Sequence, residues 1–188
     1  MAESGPRLLT VPPGDDRERL VCPDCGFIAY RNPLIVVGSV AVWQECILLC
    51  RRAIEPCRGL WTLPAGFMEE HETTTEGAAR EAWEEAGARI EIDDLLAIYQ
   101  IPRISQVHMM YRARLLTDEI AAGIESAAVG LFDWDDIPWG ELAFPTVLWA
   151  LRDYRSRRGT TGFAPAGNPV DDAPGPWSSR LQGWAIPK

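Results

Sequence analysis

The chain has 188 residues, 47% of them hydrophobic, with eight tryptophans and a formal net charge of -9. That composition can bury a core, which argues against wholesale disorder, and the acidic balance argues against bare electrostatic binding to DNA, RNA or anionic lipid. No apolar run approaches the length of about 18 residues needed to span a membrane, and the start MAESGPRLLTVPPGDDRERL lacks the apolar core of a secretory signal. The expectation is a cytoplasmic protein with no membrane partner.

Residues 1–21 are polar and rich in Pro, Gly and charge, and read as a tail or small appendage. From Leu34 the pattern changes. LIVVGSVAVW and CILLCR predict two strands with a turn near Gln44-Glu45, and Trp61-Thr62-Leu63 predicts a third short one ended by Pro64. A glutamate-rich loop follows, then a helix at 74–87. Thr73 with Glu76 is a capping-box signature, Gly87 is a natural stop, and Ala78, Ala82 and Ala86 form a small-residue stripe suited to a sheet. Strands are expected at 88–101, 106–116 and 130–134, and a second helix at 144–157, with Pro145 tolerated in its first turn. After Arg158 the chain turns Gly- and Pro-rich and reads as an irregular segment docked on the domain, carrying Trp177 and Trp184. Helices alternating with strands predict two layers of helix over a mixed sheet.

Between Gly66 and Gly87 stand seven glutamates and one arginine. Glu81, Glu84 and Glu85 crowd one helical turn, where like charges repel. Glutamate-rich helices usually present a solvated face. Here nearby lysines are absent, and two carboxylates about 4 Å apart repel by roughly 4 kcal/mol at an effective dielectric near 20. A divalent cation would relieve that repulsion, and carboxylate oxygens are the hard ligands that Mg²⁺ and Mn²⁺ prefer.

The spacing G-x5-E-x7-R-E-U-x-E-E-x-G-U is met by Gly66, Glu72, Arg80, Glu81, Glu84, Glu85 and Gly87, with Ala82 and Ala88 at the apolar places. This resembles the box of the Nudix hydrolases. A chance match is on the order of one in a million at ordinary residue usage. The resemblance implies an α/β/α sandwich with a mixed sheet. It also implies Mg²⁺- or Mn²⁺-dependent hydrolysis of a pyrophosphate in a nucleoside diphosphate linked to another moiety. It implies Glu81 and Glu85 as metal ligands with Glu84 close behind, and the Ala65 carbonyl completing the shell. Glu84 and Glu85 are also placed in the catalytic machinery, with Arg80 orienting a ligand glutamate and Glu72 organising the helix. An ordinary ion pair between Arg80 and Glu84 is the plainer alternative.

The likeness continues over residues 22–157. CPDCGFIAYRNPLIVVGSV, CRRAIEPCRGLWTLPAGFME and ISQVHMMYRARLL are similar to zinc-ribbon-led members of the plant FAD/ADP-ribose pyrophosphatase type. The NADH-specific motif is absent after Ser105-Gln106, which counts against NADH. The subgroup's ribbon uses two CxxC pairs, yet only Cys22 and Cys25 appear here. The reading is a degenerate, metal-free knuckle, with a two-ligand zinc site as the alternative. Five cysteines suit reduced thiols, and Cys46, Cys50 and Cys57 read as buried hydrophobes or free thiols. Glu125 is the loop candidate for metal binding or general base, Ala128 having replaced a second acid. Arg51 and Arg52, with Gly66, are candidates for gripping substrate phosphate, against a surface-charge alternative. Tyr30, Tyr99 and Tyr111 suit core packing better than stacking on a base, His108 reads as structural, and His71 takes no role.

The resulting expectation is an N-terminal tail and ribbon-like segment over 1–32, a hydrolase domain over 33–158 and a tail over 159–188. The substrate class is ADP-ribose or FAD, with AMP released. NADH, coenzyme A, a damaged nucleoside triphosphate, or a non-catalytic nucleotide sensor stay open as alternatives. No nucleic-acid partner is expected, and a homodimer is suggested by analogy.

Overall fold

The computed structural model describes residues 5–170, and the chain divides between Pro33 and Leu34 into two compact units. The N-terminal unit holds three very short strands, β1 (Leu8–Thr10), β2 (Arg19–Val21) and β3 (Ile28–Ala29). They form one antiparallel sheet in the order β1-β2-β3. The stretch read as a tail therefore contains paired strands, each too short to show a periodicity.

The larger unit is built on β4 (Leu34–Trp43), whose residues 36–42 are all buried. A central strand covered on both faces needs apolar residues at every position, which is what LIVVGSVAVW supplies. Its neighbours are β5 (Cys46–Arg52), β6 (Trp61–Thr62), β7 (Ala65–Phe67), β8 (Ile90–Ile101), β9 (Gln106–Leu115) and β10 (Ser126–Phe132). The main path runs β10-β5-β4-β9-β8, with β6 on β5 and β7 on β4. Only β4 and β9 run parallel among these named pairs, so the sheet is mixed.

Alternation along the strands sorts two cores. Val37, Ala41, Leu48, Cys50 and Ala113 lie with α1 (Thr74–Ala86), whose Ala78, Ala82 and Ala86 are fully buried. Val40, Val42, Ile47, Leu49 and Tyr99 lie with α2 (Pro145–Arg157), through Val147, Ala150, Leu151 and Tyr154. The expected α/β/α sandwich is present.

α1 begins with a full capping box: the Glu76 N–H donates to Thr73 Oγ1 at 3.2 Å and the Thr73 N–H to Glu76 Oε2 at 2.8 Å. It ends at Gly87 in the left-handed region, φ 59, whose N–H bonds Trp83 O at 2.8 Å. Two elements differ from expectation. The strand placed at 130–134 runs instead over Ser126–Phe132, because it pairs with β5 from Arg52 back to Ile47 across a bulge at its start. Ala65–Phe67, read as loop, forms β7 against Val36–Gly38 of β4.

The first part of the Gly/Pro-rich segment lies along β8. The Ala166 N–H donates to Leu96 O and the Ile98 N–H to Ala166 O, both at 2.9 Å. The Asn168 side-chain amide bonds the N–H and C=O of Gln100, both at 2.8 Å. Phe163 lies against the guanidinium groups of Arg112 and Arg157. Trp177 and Trp184 lie outside the described residues.

Candidate active site

The pairing of β7 with β4 sets Gly66 opposite Val37, on the face that α1 covers. The α1 residues Glu81 and Glu85 are one turn apart and turn toward the sheet, only 8% and 6% exposed. A Cβ on Gly66 would run into the Glu81 carboxylate, so the backbone approaches that group as only glycine permits. Beside it the Ala65 N–H donates to Glu85 Oε2 at 3.1 Å.

Burial raises the proton affinity of both acids. Glu85 is pushed up to about 7, chiefly by burial, eased by the Ala65 N–H and aggravated by the charges of Glu81 and Glu125. Glu81 is also raised, by burial first, against the relief that Arg80 provides. Glu72 moves the other way, down to about 2, held by Arg80 and by the Glu69 N–H.

Arg80 is the hub of the site. Its Nε and Nη2 bond the Glu72 carboxylate at 3.0 and 2.8 Å, and its Nη1 bonds Glu81 Oε1 at 2.7 Å and Glu84 Oε2 at 2.9 Å. Nη2 also reaches Phe67 O at 3.0 Å, tying α1, β7 and the intervening loop together. The ion pair with Glu84 is real, and it is one of three. Part of the repulsion among the glutamates is therefore offset by the chain's own arginine.

Among the described residues, no three His, Cys, Asp or Glu side chains converge closely enough to hold a metal ion in this arrangement. Arg80 holds Glu72, Glu81 and Glu84 in this arrangement. The donor chemistry nevertheless fits a hard divalent cation. Two buried carboxylates face the Ala65–Gly66 backbone with unfavourable ionisation, the condition that a cation relieves. Glu84, its side chain 56% exposed, is free to exchange Arg80 for such an ion.

Glu125 ends the loop that follows β9. The Ala121 N–H donates to Ala86 O at 2.8 Å and the Gly123 N–H to Glu85 O at 3.1 Å, so the loop is sutured to the last turn of α1. A Cβ on Gly123 would strike the Glu84 carbonyl. Glu125 is exposed, and its charge acts on both Glu81 and Glu85. Ala128 pairs with Arg51 on β5, and Ser126 with Arg52. Arg51 Nε donates to Gly59 O at 2.8 Å, and Arg52 Nε donates to Pro56 O at 2.7 Å while its guanidinium lies over Phe144. Both arginines thus hold the loop between β5 and β6, and Arg52 also lowers the proton affinity of Glu85.

One neighbour escaped the sequence reading. Gly123 carried no signal beyond being a glycine in a polar loop. Cys50 is fully buried, its thiol pushed up by burial and next by the Glu85 charge. This agrees with its reading as a buried hydrophobe, and the alternation in CILLCR places it on the α1 face. The remaining residues are structural here. The Tyr99 hydroxyl donates to Asp153 at 2.6 Å and Tyr111 bonds Thr74 at 2.5 Å, both in the core as expected; Tyr30, against the core-packing expectation, is exposed and lies under Arg19. His108 bonds Gln106, and burial pulls it down to about 4. His71 is exposed in a left-handed loop position, φ 69.

A family model described as the NUDIX domain matches residues 33–149, and a zinc-ribbon model described as Nudix N-terminal matches residues 5–31. The crystal structure of a NUDIX hydrolase from Nitrosomonas europaea is similar at 47% identity and a TM-score of 0.80, covering 86% of this chain and 93% of that one. An ADP-ribose pyrophosphatase from Methanocaldococcus jannaschii is 30% identical over 119 residues, 61% of this chain and 69% of its own length. A MutT-like protein from Streptomyces ambofaciens is 33% identical over 103 residues, 55% of this chain and 66% of that protein. The matched stretches thus span about two thirds of these two relatives.

Proposed function

The chain belongs to the Nudix family of pyrophosphohydrolases, and on that premise we propose that it cleaves the diphosphate bridge of ADP-ribose, with FAD as the nearest alternative, releasing AMP. The observation that carries this is the pair of buried carboxylates, Glu81 and Glu85, gathered against the Ala65–Gly66 backbone. Their burial is costly without a cation and useful with one. The similarity to an archaeal ADP-ribose pyrophosphatase supports the substrate choice.

In this reading Glu81, Glu85, Glu84 and the Ala65 carbonyl hold Mg²⁺ or Mn²⁺. An ion held there would supply charge neutralisation at the phosphate oxygens and a lowered pKa for the attacking water. Arg80 orients Glu81 and Glu84 and keeps Glu72 at the head of the helix. Gly66 leaves room for the diphosphate to approach the sheet. Glu125, held by the loop sutured to α1, is the base that accepts a proton at its carboxylate. Arg52, beside Glu85 in charge, and Arg51 fix the loop that borders the substrate. The catalytic domain lies within 33–158, and the enzyme works as a cytoplasmic homodimer. No helix among the described residues is long and apolar enough to cross a membrane.

Incubation of the pure chain with ADP-ribose and Mg²⁺ should yield AMP and ribose 5-phosphate. A panel with FAD, NADH, coenzyme A and oxidised nucleoside triphosphates ranks the alternatives by product mass. Absence of turnover on every member would replace the hydrolytic reading with that of a nucleotide sensor.

A further inference from the structure

The N-terminal unit matches a zinc-ribbon family, yet its donor set does not match a zinc ribbon. A closed structural zinc site takes four ligands. Residues 5–33 offer two thiols, buried Cys22 and exposed Cys25, and no His. The knuckle that carries them is nonetheless formed. The Cys22 N–H donates to Phe27 O and the Gly26 N–H to Cys22 O, each at 2.8 Å.

What reaches into this knuckle from the opposite strand is a cation of the chain's own. The Arg7 N–H bonds Val21 O at 3.1 Å, which places Arg7 beside β2. Its guanidinium then grips both oxygens of Asp24, between the two cysteines, at 2.8 and 3.0 Å, and also the Gly5 carbonyl at 3.1 Å. Cys22 Sγ donates to Asp24 Oδ2 at 3.9 Å. The Asp24 carboxylate stabilises the charge on Arg7. A zinc ion joins two knuckles of a ribbon through thiolate bonds. Here a two-pronged charge-assisted pair joins the knuckle to the segment that leads into the first strand.

We propose that this unit is a metal-free ribbon in which the Arg7–Asp24 clamp takes the place of zinc, leaving Cys22 and Cys25 as a reduced dithiol. The clamp is solvent-exposed, so it holds less firmly than a metal centre would. The strands beside it are only two or three residues long.

The full chain, purified without chelator, tests this without reference to turnover. Elemental analysis should find far less than one zinc per chain. Hydrogen exchange across residues 19–29 should be the same with and without EDTA. Alkylation of Cys25 by iodoacetamide should likewise ignore the chelator. Arg7→Met should speed exchange in the same stretch by about threefold to tenfold, while Arg7→Lys, which keeps the charge and loses the fork, should fall between. Near-stoichiometric zinc overturns the proposal, as does exchange or alkylation accelerated by EDTA. So does an Arg7→Met protein that exchanges like the parent.

Discussion

α1 and α2 are each thirteen residues long and cover opposite faces of one sheet, yet they are built on opposite principles. α2 has no side-chain cap and buries Val147, Ala150, Leu151 and Tyr154. α1 buries only small residues and two carboxylates, Glu81 and Glu85, and carries a capping box at one end and a left-handed glycine at the other. Burial of apolar side chains holds α2 in place. α1 gains little from such burial and is secured at its ends and by Arg80. One face of the sheet is thus built for cohesion and the other for presenting charge.

That contrast breaks most visibly at Glu85. Glu85→Gln should lower kcat on the order of a thousandfold while the melting temperature holds or rises, since a buried charge is removed. The matching change on α2, Leu151→Ala, should cost about 2–4 kcal/mol in denaturant unfolding, with turnover per folded molecule unchanged.

The pH dependence sharpens the contrast further. Glu85 is raised from 4.5 to about 7 when folded, so its burial cost is fully present above about pH 7 and absent below about pH 4.5. Metal-free protein should therefore gain up to roughly 3 kcal/mol from Glu85 between pH 8 and pH 5, a gain that Glu85→Gln cuts back to the share due to Glu81. Glu72 has the opposite sign. Its contribution is present above about pH 4.5 and lost as pH falls toward about 2. Urea titrations across pH read both.

Smaller effects follow at the supports of α1. Gly123→Ala pushes the loop off the Glu84 carbonyl and should cost about 1–3 kcal/mol, with kcat falling more than KM rises. Thr73→Ala removes half of the capping box and should cost about 1 kcal/mol by thermal melting.

How much of this was legible depends on how local each signal is. α1 was readable to within a residue because Thr73, Glu76, Gly87 and the alanine stripe all lie within one element. The spacing of Glu81, Glu84, Glu85 and Arg80 identified the acidic cluster for the same reason. The Arg80–Glu72 pair joins residues eight apart that only the loop fold brings together. β10 was misplaced because Ser126-Ala127-Ala128-Val129-Gly130 shows no apolar alternation, and its position is set by its partner β5. The three strands of the N-terminal unit are too short to announce themselves, and Arg7 has meaning only once Asp24 stands opposite.

One contact at the far side of the sheet bears on how this protein behaves at high concentration. Asn168 offers Gln100 the same donor and acceptor that a neighbouring peptide group would, and the Ala166 backbone bonds Leu96 O and the Ile98 N–H. Together they finish β8 with a counterfeit strand. An open margin there would be a template onto which another polypeptide could stack without limit. Along the described part of this border, Ala166 and the Asn168 amide occupy backbone groups that another polypeptide would need.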